Sequence, residues 1–161
     1  LGVSIVDNGD DLACAIDTAL ELAPSVLVEQ FISGRELTVA VLGGEKPRVL
    51  PPIEIIPAYE FYDYEAKYEQ GMAQHICPAN LTEKELRQCE EMALGAHEAL
   101  SCYGVSRTDC ILDERNRLWY LETNTIPGMT GTSLLPDAAK AVGITFDELC
   151  WNIMEDAWSR C

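Results

Sequence analysis

Apolar residues recur along this chain first at helical and then at strand spacing. Between Asp10 and Leu22, the positions Leu12, Ile16, Ala19 and Ala23 fall near one helical face, and Pro24 stops the run. The segments 25–31 (SVLVEQF) and 36–42 (ELTVAVL) are β-rich and join at Ser33-Gly34, which predicts two strands. Gly43-Gly44 turns the chain toward a third strand around Arg48 to Leu50; Pro51 and Pro52 interrupt it, and Glu54 to Ile56 resume it. Residues 57–73 keep no clean period and read as a long loop of the functional, lid-like kind. Thr82-Glu83-Lys84-Glu85 is a capping box, opening a helix that runs to about Ser101 and ends before Gly104. Val105 to Leu112 and Leu118 to Thr123 read as strands around the polar turn Asp113 to Arg117. A Gly/Thr/Ser-rich loop, Asn124 to Ser133, follows, with a helix beginning near Ser133. Thr145-Phe146-Asp147-Glu148 caps a last helix carrying Trp151, Met154 and Trp158 as a core or interface stripe. The order α-β-β-β-α-β-β-α predicts an α+β fold, an antiparallel β-sheet flanked by helices.

Composition narrows the partners. The 161 residues are 48% hydrophobic and 24% charged, which is globular, and suffice for one domain with a real core. Against 27 acidic residues stand 11 basic ones, a formal charge of −16, so no nucleic acid or anionic membrane is expected as a partner. No apolar run approaches the ~20 residues of a membrane span, and no signal peptide is visible, which points to the cytoplasm. The seven cysteines, Cys14, Cys77, Cys89, Cys102, Cys110, Cys150 and Cys161, include no C-x-x-C pair and read as reduced, buried thiols. The chain starts at Leu1 rather than Met, so a fragment is considered from the outset.

The hairpin at 105–123 concentrates the candidate chemistry. Alternation puts Val105, Arg107, Asp109 and Ile111 on one face, and Leu118, Tyr120, Glu122 and Asn124 on one face of the next strand. A four-residue turn at Glu114 to Arg117 pairs Asp113 with Leu118, and hence Asp109 with Glu122 and Arg107 with Asn124. Opposed carboxylates repel. A divalent cation would relieve this, and an oxygen-only set of Asp, Glu and Asn suits Mg²⁺; alternatively Arg107 bridges both acids, or the register slips and they face solvent. Lys67, ringed by Glu54, Glu60, Asp63, Glu65 and Glu69, is either a solvated lysine or a phosphate ligand on the loop. Glu29 and Glu36 flank the turn between two apolar strands, where surface exposure is the simpler reading. Residues 127–133 (PGMTGTS) offer backbone N–H groups and hydroxyls ahead of a helix. His75 and His97 read as structural or surface residues.

Residues 61–68 (FYDYEAKY), 104–109 (GVSRTD) and 121–130 (LETNTIPGMT), in this order, resemble the C-terminal half of the D-alanine–D-alanine ligase family, whose fold is ATP-grasp. The resemblance covers nearly the whole chain as an ATP-grasp C-terminal domain over 1–161, with 1–35 as the end of the central ATP-binding subdomain. It implies that Asp109, Glu122 and Asn124 hold two Mg²⁺ (or Mn²⁺) at the ATP phosphates. It further implies that Glu29, Gln30, Phe31 and Ile32 form the hinge for adenine, Glu36 accepts from the ribose hydroxyls and Leu121 packs on the base. Gln30 departs from the lysine common in the family at this point. Lys67 would reach the terminal phosphate, and Tyr68 matches the position favouring D-alanine over D-lactate as acceptor. Arg107 and the Gly128 N–H would stabilise a tetrahedral oxyanion, and Ser133 with the Leu134 N–H would receive the second substrate's carboxylate.

The implied reaction is ATP-dependent ligation of two D-alanine molecules through an acyl phosphate, for peptidoglycan precursors. The family's upstream lysines, first-substrate glutamate and most of a serine-rich loop are not in this chain, Gly2 to Ser4 being the tail of that loop. The chain alone is therefore expected to be inactive; the sequence leaves the oligomeric state of the full-length protein open, a homodimer being one option. A ligase using D-serine or D-lactate, a non-catalytic nucleotide-binding module and an acidic interaction domain are the alternatives.

Overall fold

The run GRELTVAVL forms β1 (Gly34–Leu42), and its last six residues are buried. A strand buried on both faces belongs inside a sheet, and β1 lies there. It runs antiparallel to β5 (Val105–Asp113), from Gly34 opposite Asp113 to Leu42 opposite Val105. On its other side β1 pairs with β3 (Ile53–Ile56) and, at its far end, with the short β2 (Arg48–Val49). With β4 (Gln74–Ile76) and β6 (Leu118–Asn124), the spatial order is β4-β3-β1-β5-β6, all contacts antiparallel. The computed structural model describes residues 2–44, 46–56 and 74–159. They belong to two units, Leu1–Ile32 and Ser33–Cys161, of which the second contains this sheet.

Helices cover the two faces unequally. On one face, α2 (Glu83–Ala99) lays Cys89 and Ala93 against Leu37, Val39, Val41, Cys110 and Leu112. On the other, α3 (Leu134–Ala141) and α4 (Phe146–Trp158) pack Leu135, Ala138, Ala139 and Leu149 against Ala40, Leu42, Ile53 and Val105. These layers carry the stability: truncating one such buried leucine costs about 2–5 kcal/mol, whereas the exposed Arg87–Glu83 pair on α2 contributes at most about 1 kcal/mol. Both expected capping boxes form, Thr82 with Glu85 and Thr145 with Glu148. The turn from β1 brings Gly43 N within 2.7 Å of the Gly104 carbonyl, a close approach with Gly104 at φ +67°. In the first unit an Asn8 side chain accepting from the Asp10 and Asp11 N–H groups leads into α1 (Leu12–Leu20).

The fold is the expected α+β arrangement, with specific corrections. Residues 25–31 form no strand; β1 takes its neighbours from β3 and β5 instead. Leu27, Val28 and Phe31 stay exposed, and β-propensity expresses a fit to a half-buried pleated surface that this segment does not have. Short β4 carries no alternating signal long enough to read. Trp151, Met154 and Trp158 are not core: α4 turns Leu149 inward and leaves all three exposed. Among the described cysteines all are free thiols, but only Cys89 and Cys110 are buried, and Cys14 is exposed. The neighbouring Cys89 thiol and burial push the Cys110 thiol up, which keeps it protonated. His97 is structural, buried with its Nδ1 2.7 Å from Ser106 Oγ.

The β5–β6 hairpin departs from expectation twice, and the departures cancel. The turn holds three residues, Glu114–Asn116, closed by the Asp113 N–H on the Arg117 carbonyl at 3.0 Å, with Asn116 at φ +57°. Leu112, not Asp113, therefore lies opposite Leu118. A bulge between Asp109 and Cys110 then leaves Leu121 as the extra residue, and Asp109 returns opposite Glu122 and Arg107 opposite Asn124. Because the bulge shifts the alternation, Leu118 and Tyr120 lie on the α2 face, opposite from Glu122 and Asn124. Leu118 packs there with the Leu112 cluster, and Tyr120 Oη reaches Thr123 Oγ1 at 3.2 Å.

Asp113 organises this turn. Its carboxylate accepts from Trp119 Nε1, Arg117 Nε and the backbone N–H groups of Arg115 and Arg117, at 2.8–2.9 Å. These bonds, the Trp119 indole first, hold its carboxyl well below the usual carboxylate range. A depressed folded-state pKa contributes stability above the unfolded value of about 3.9 and loses it as pH falls further. Asp113→Ala is expected to lower the melting temperature by about 5 °C at pH 7. In scanning calorimetry the gap to the parent should narrow below about pH 4.

Candidate functional site

Alternation in β5 buries Ser106, Thr108, Cys110 and Leu112 and leaves Arg107, Asp109 and Ile111 half-buried on the other face. Register then sets the neighbours of Asp109: Thr38 on β1 and Glu122 on β6. Ala40, Leu42 and Val105, toward the far end of this face, lie under α3 and α4. The rest of this face carries Glu36, Thr38, Arg107, Asp109, Glu122 and Asn124, a polar half-face.

Asp109 is its centre. Arg107 clamps it with a fork, Nε to Oδ1 at 3.0 Å and Nη2 to Oδ2 at 2.8 Å. The Thr38 hydroxyl donates a short bond to Oδ1, and Asn124 Nδ2 donates to Oδ2 at 3.2 Å. The same Nδ2 donates to Glu122 Oε1 at 3.0 Å, so one amide links the opposed carboxylates. The Asp109 fork, working against burial, raises the Arg107 pKa further and keeps it charged. Burial, and then the negative charge of Asp109, push the Glu36 carboxyl up. The sequence left open whether a cation or Arg107 relieves the paired acids. Arg107 neutralises Asp109, while Glu122 meets only the amide of Asn124 among the bonds formed.

The donor set fits a hard divalent cation. Two carboxylates face each other in register with an amide between them, and turning that amide would present a third oxygen. Among the described residues no group of three His, Cys, Asp or Glu makes a complete cage. Further coordination would then come from water or from a bound phosphate's oxygens.

Glu36 stands on β1 two residues before Thr38, and Leu121, the bulge residue, is half exposed. Glu29, Gln30, Phe31 and Ile32 lie in the first unit without regular structure. Lys67 and Tyr68 fall outside the described residues. Gly128 packs so closely on Ser133 that a Cβ would stand 2.9 Å from its Oγ. Ser133 is the N-cap of α3, yet its hydroxyl does not cap the helix; it meets Thr130 N at 3.0 Å and Thr130 Oγ1 at 2.8 Å. The Ser133 side chain thus leaves the first N–H groups of α3, Leu134's among them, without a side-chain cap. Thr38 was missed, because only the β1–β5 register shows that a threonine in an apolar strand faces Asp109.

Two solved structures share this fold. A D-alanine–D-alanine ligase from Bacillus anthracis complexed with ATP superposes with a TM-score of 0.82 at 33% identity, covering 99% of this chain and 51% of that one. The VanG D-Ala:D-Ser ligase from Enterococcus faecalis gives 0.82 at 31% identity, over 96% of this chain and 45% of that one. The fold is that of the ATP-grasp ligases. Residues 1–155 match the family described as D-ala D-ala ligase C-terminus, and the chain belongs to it. The D-alanine–D-alanine ligase of Pelotomaculum thermopropionicum is 45% identical over 161 residues, all of this chain and 51% of that protein. That of Syntrophobacter fumaroxidans is 48% identical over 157 residues, 96% of this chain and 50% of that protein. The chain thus spans about half the length of the curated relatives it matches.

The fork between Arg107 and Asp109 has a direct test in chemical denaturation of the two alanine variants and the double variant. Their coupling energy is expected at about 1–3 kcal/mol, because each single change strands a half-buried charge. Arg107→Lys should recover little of it, since an ammonium cannot form the fork.

Proposed function

We propose that this chain supplies the nucleotide, metal and acceptor sites of a longer ATP-dependent ligase that joins two D-alanine molecules for peptidoglycan precursors. The observation that carries the reading is Asp109 opposite Glu122, with Asn124 between them, on the polar half-face of a chain in this family.

Asp109, Glu122 and Asn124 would hold Mg²⁺, which when bound offsets charge on the ATP phosphates. Thr38 and Arg107 hold the Asp109 carboxylate in its orientation. Glu36 would accept from the ribose hydroxyls, Leu121 would cover one face of adenine, and Glu29 to Ile32 would line its edge. Lys67 would meet the terminal phosphate. Transfer of the γ-phosphoryl group to the carboxylate of the first D-alanine gives an acyl phosphate, and the amine of the second displaces phosphate. Such chemistry depends on positioning and charge neutralisation more than on covalent help from the protein. Arg107 spends Nε and Nη2 on Asp109, so its Nη1 edge would face the developing oxyanion beside the Gly128 N–H. Ser133 and the Leu134 N–H would take the acceptor's carboxylate, with Tyr68 favouring D-alanine there. The curated relatives are named D-alanine–D-alanine ligases, which supports D-alanine over D-serine as acceptor; an acceptor screen on the complete enzyme separates the two.

Calorimetric titration of ADP into this chain is expected to give binding with Mg²⁺ and none with EDTA. Asp109→Asn or Glu122→Gln should weaken the Mg²⁺-dependent binding about tenfold or more, about 1.4 kcal/mol. ADP binding that is the same with Mg²⁺ and with EDTA would remove the metal assignment. The chain alone is also expected to release no phosphate from ATP in response to D-alanine, because the resemblance places the remaining phosphate and first-substrate groups upstream; a coupled phosphate assay checks this.

A further inference from the structure

We propose that His75 and Asp137 form a clasp that positions the acceptor pocket, a role that rests on the ligase reading above. His75 of β4 and Cys77, the residue just after the strand, converge on a single residue of α3. His75 Nδ1 lies 3.2 Å from Asp137 Oδ2, and the Cys77 thiol points at the Asp137 carbonyl oxygen at 3.9 Å. Among the described strands β4 pairs only with β3, and this convergence ties that edge of the sheet to α3.

Asp137 is the residue through which such a link reaches the pocket. Its backbone N–H bonds to the Ser133 carbonyl at 3.2 Å, closing the first turn of α3. Holding Asp137 therefore holds the carbonyl of Ser133 and the direction of the Leu134 N–H, the groups assigned to the acceptor's carboxylate. With Ser133 Oγ engaged by Thr130, the helix start has no side-chain cap of its own to fix it. The clasp does this from outside the helix.

Magnitudes separate positioning from mere stabilisation. The His75 and Asp137 side chains keep 28% and 34% of their surface exposed, and polar contacts at such exposure contribute little to folding. Breaking the clasp should thus leave the fold intact and displace only what α3 presents.

The test is steady-state kinetics on the complete ligase carrying this segment, with KM for ATP and for the acceptor amino acid measured separately. His75→Ala and Asp137→Ala are each expected to raise the acceptor KM about 5–10-fold, with KM for ATP and kcat changing less than about twofold. The double variant should be no worse than either single one, because both break the same contact. His75→Asn, which keeps a donor near the Nδ1 position, should restore most of the affinity. An unchanged acceptor KM, an equal rise in both KM values or additive effects would overturn the clasp. Ser133→Ala serves as the reference: if it moves the acceptor KM and His75→Ala does not, the clasp alone fails. If Ser133→Ala leaves the acceptor KM unchanged, the acceptor-site reading fails and the clasp with it.

Discussion

Everything in the second unit depends on the antiparallel ladder between β1 and β5. It runs without a break from Gly34–Asp113 to Leu42–Val105. Side-chain alternation along this ladder sorts residues into two sets with different fates. Leu37, Val39, Val41, Cys110 and Leu112 go to α2, while Ala40, Leu42 and Val105 go to α3 and α4. The same alternation places Glu36, Thr38, Arg107 and Asp109 on the rest of the second face. One register therefore decides at once where the protein is dry and where it is polar.

The polar half-face is a compromise between desolvation and reactivity. A carboxylate removed from water without a partner costs several kcal/mol or more. Asp109 avoids that cost through the Arg107 fork, the Thr38 hydroxyl and the Asn124 amide. Glu122 is more exposed and shares only the amide, so it keeps lone pairs available for another cation. In a chain of formal charge −16, an isolated basic residue at this point is a sorting device: it neutralises one acid of the pair and leaves the other. That asymmetry suits the proposed role, in which the site would attract a metal–phosphate complex and also present a guanidinium edge to a developing anion.

Much of this was legible before any coordinates. The two capping boxes, the two strands around 113–117 and the sheet-plus-helices class follow from local residue choice, and locally consistent signals are the ones tertiary packing keeps. The opposition of Asp109 and Glu122 was also expected, but through two errors that offset one another. The turn is one residue shorter than its polar composition suggested, and Leu121 bulges to return the missing step. Alternation alone could not show this, because a bulge has no sequence mark stronger than one more apolar residue. The cost of that blindness was the placing of Leu118 and Tyr120 on the wrong face.

By itself, the sequence determined which segments could be helix or strand, where helices start, and which residue types stand in the LETNTIPGMT and GVSRTD runs that mark the family. Those properties are local: they depend on periodicity, caps and residue chemistry within a few positions. Tertiary structure alone decided that 25–31 has no sheet to join, that Thr38 meets Asp109, that Trp151 and Trp158 stay exposed, and that His75 reaches Asp137. Each of these joins, or fails to join, residues distant in the chain, 62 positions apart for His75 and Asp137 and 71 for Thr38 and Asp109. Pairing partners at such separations are chosen by which surfaces remain to be buried once the whole sheet has assembled.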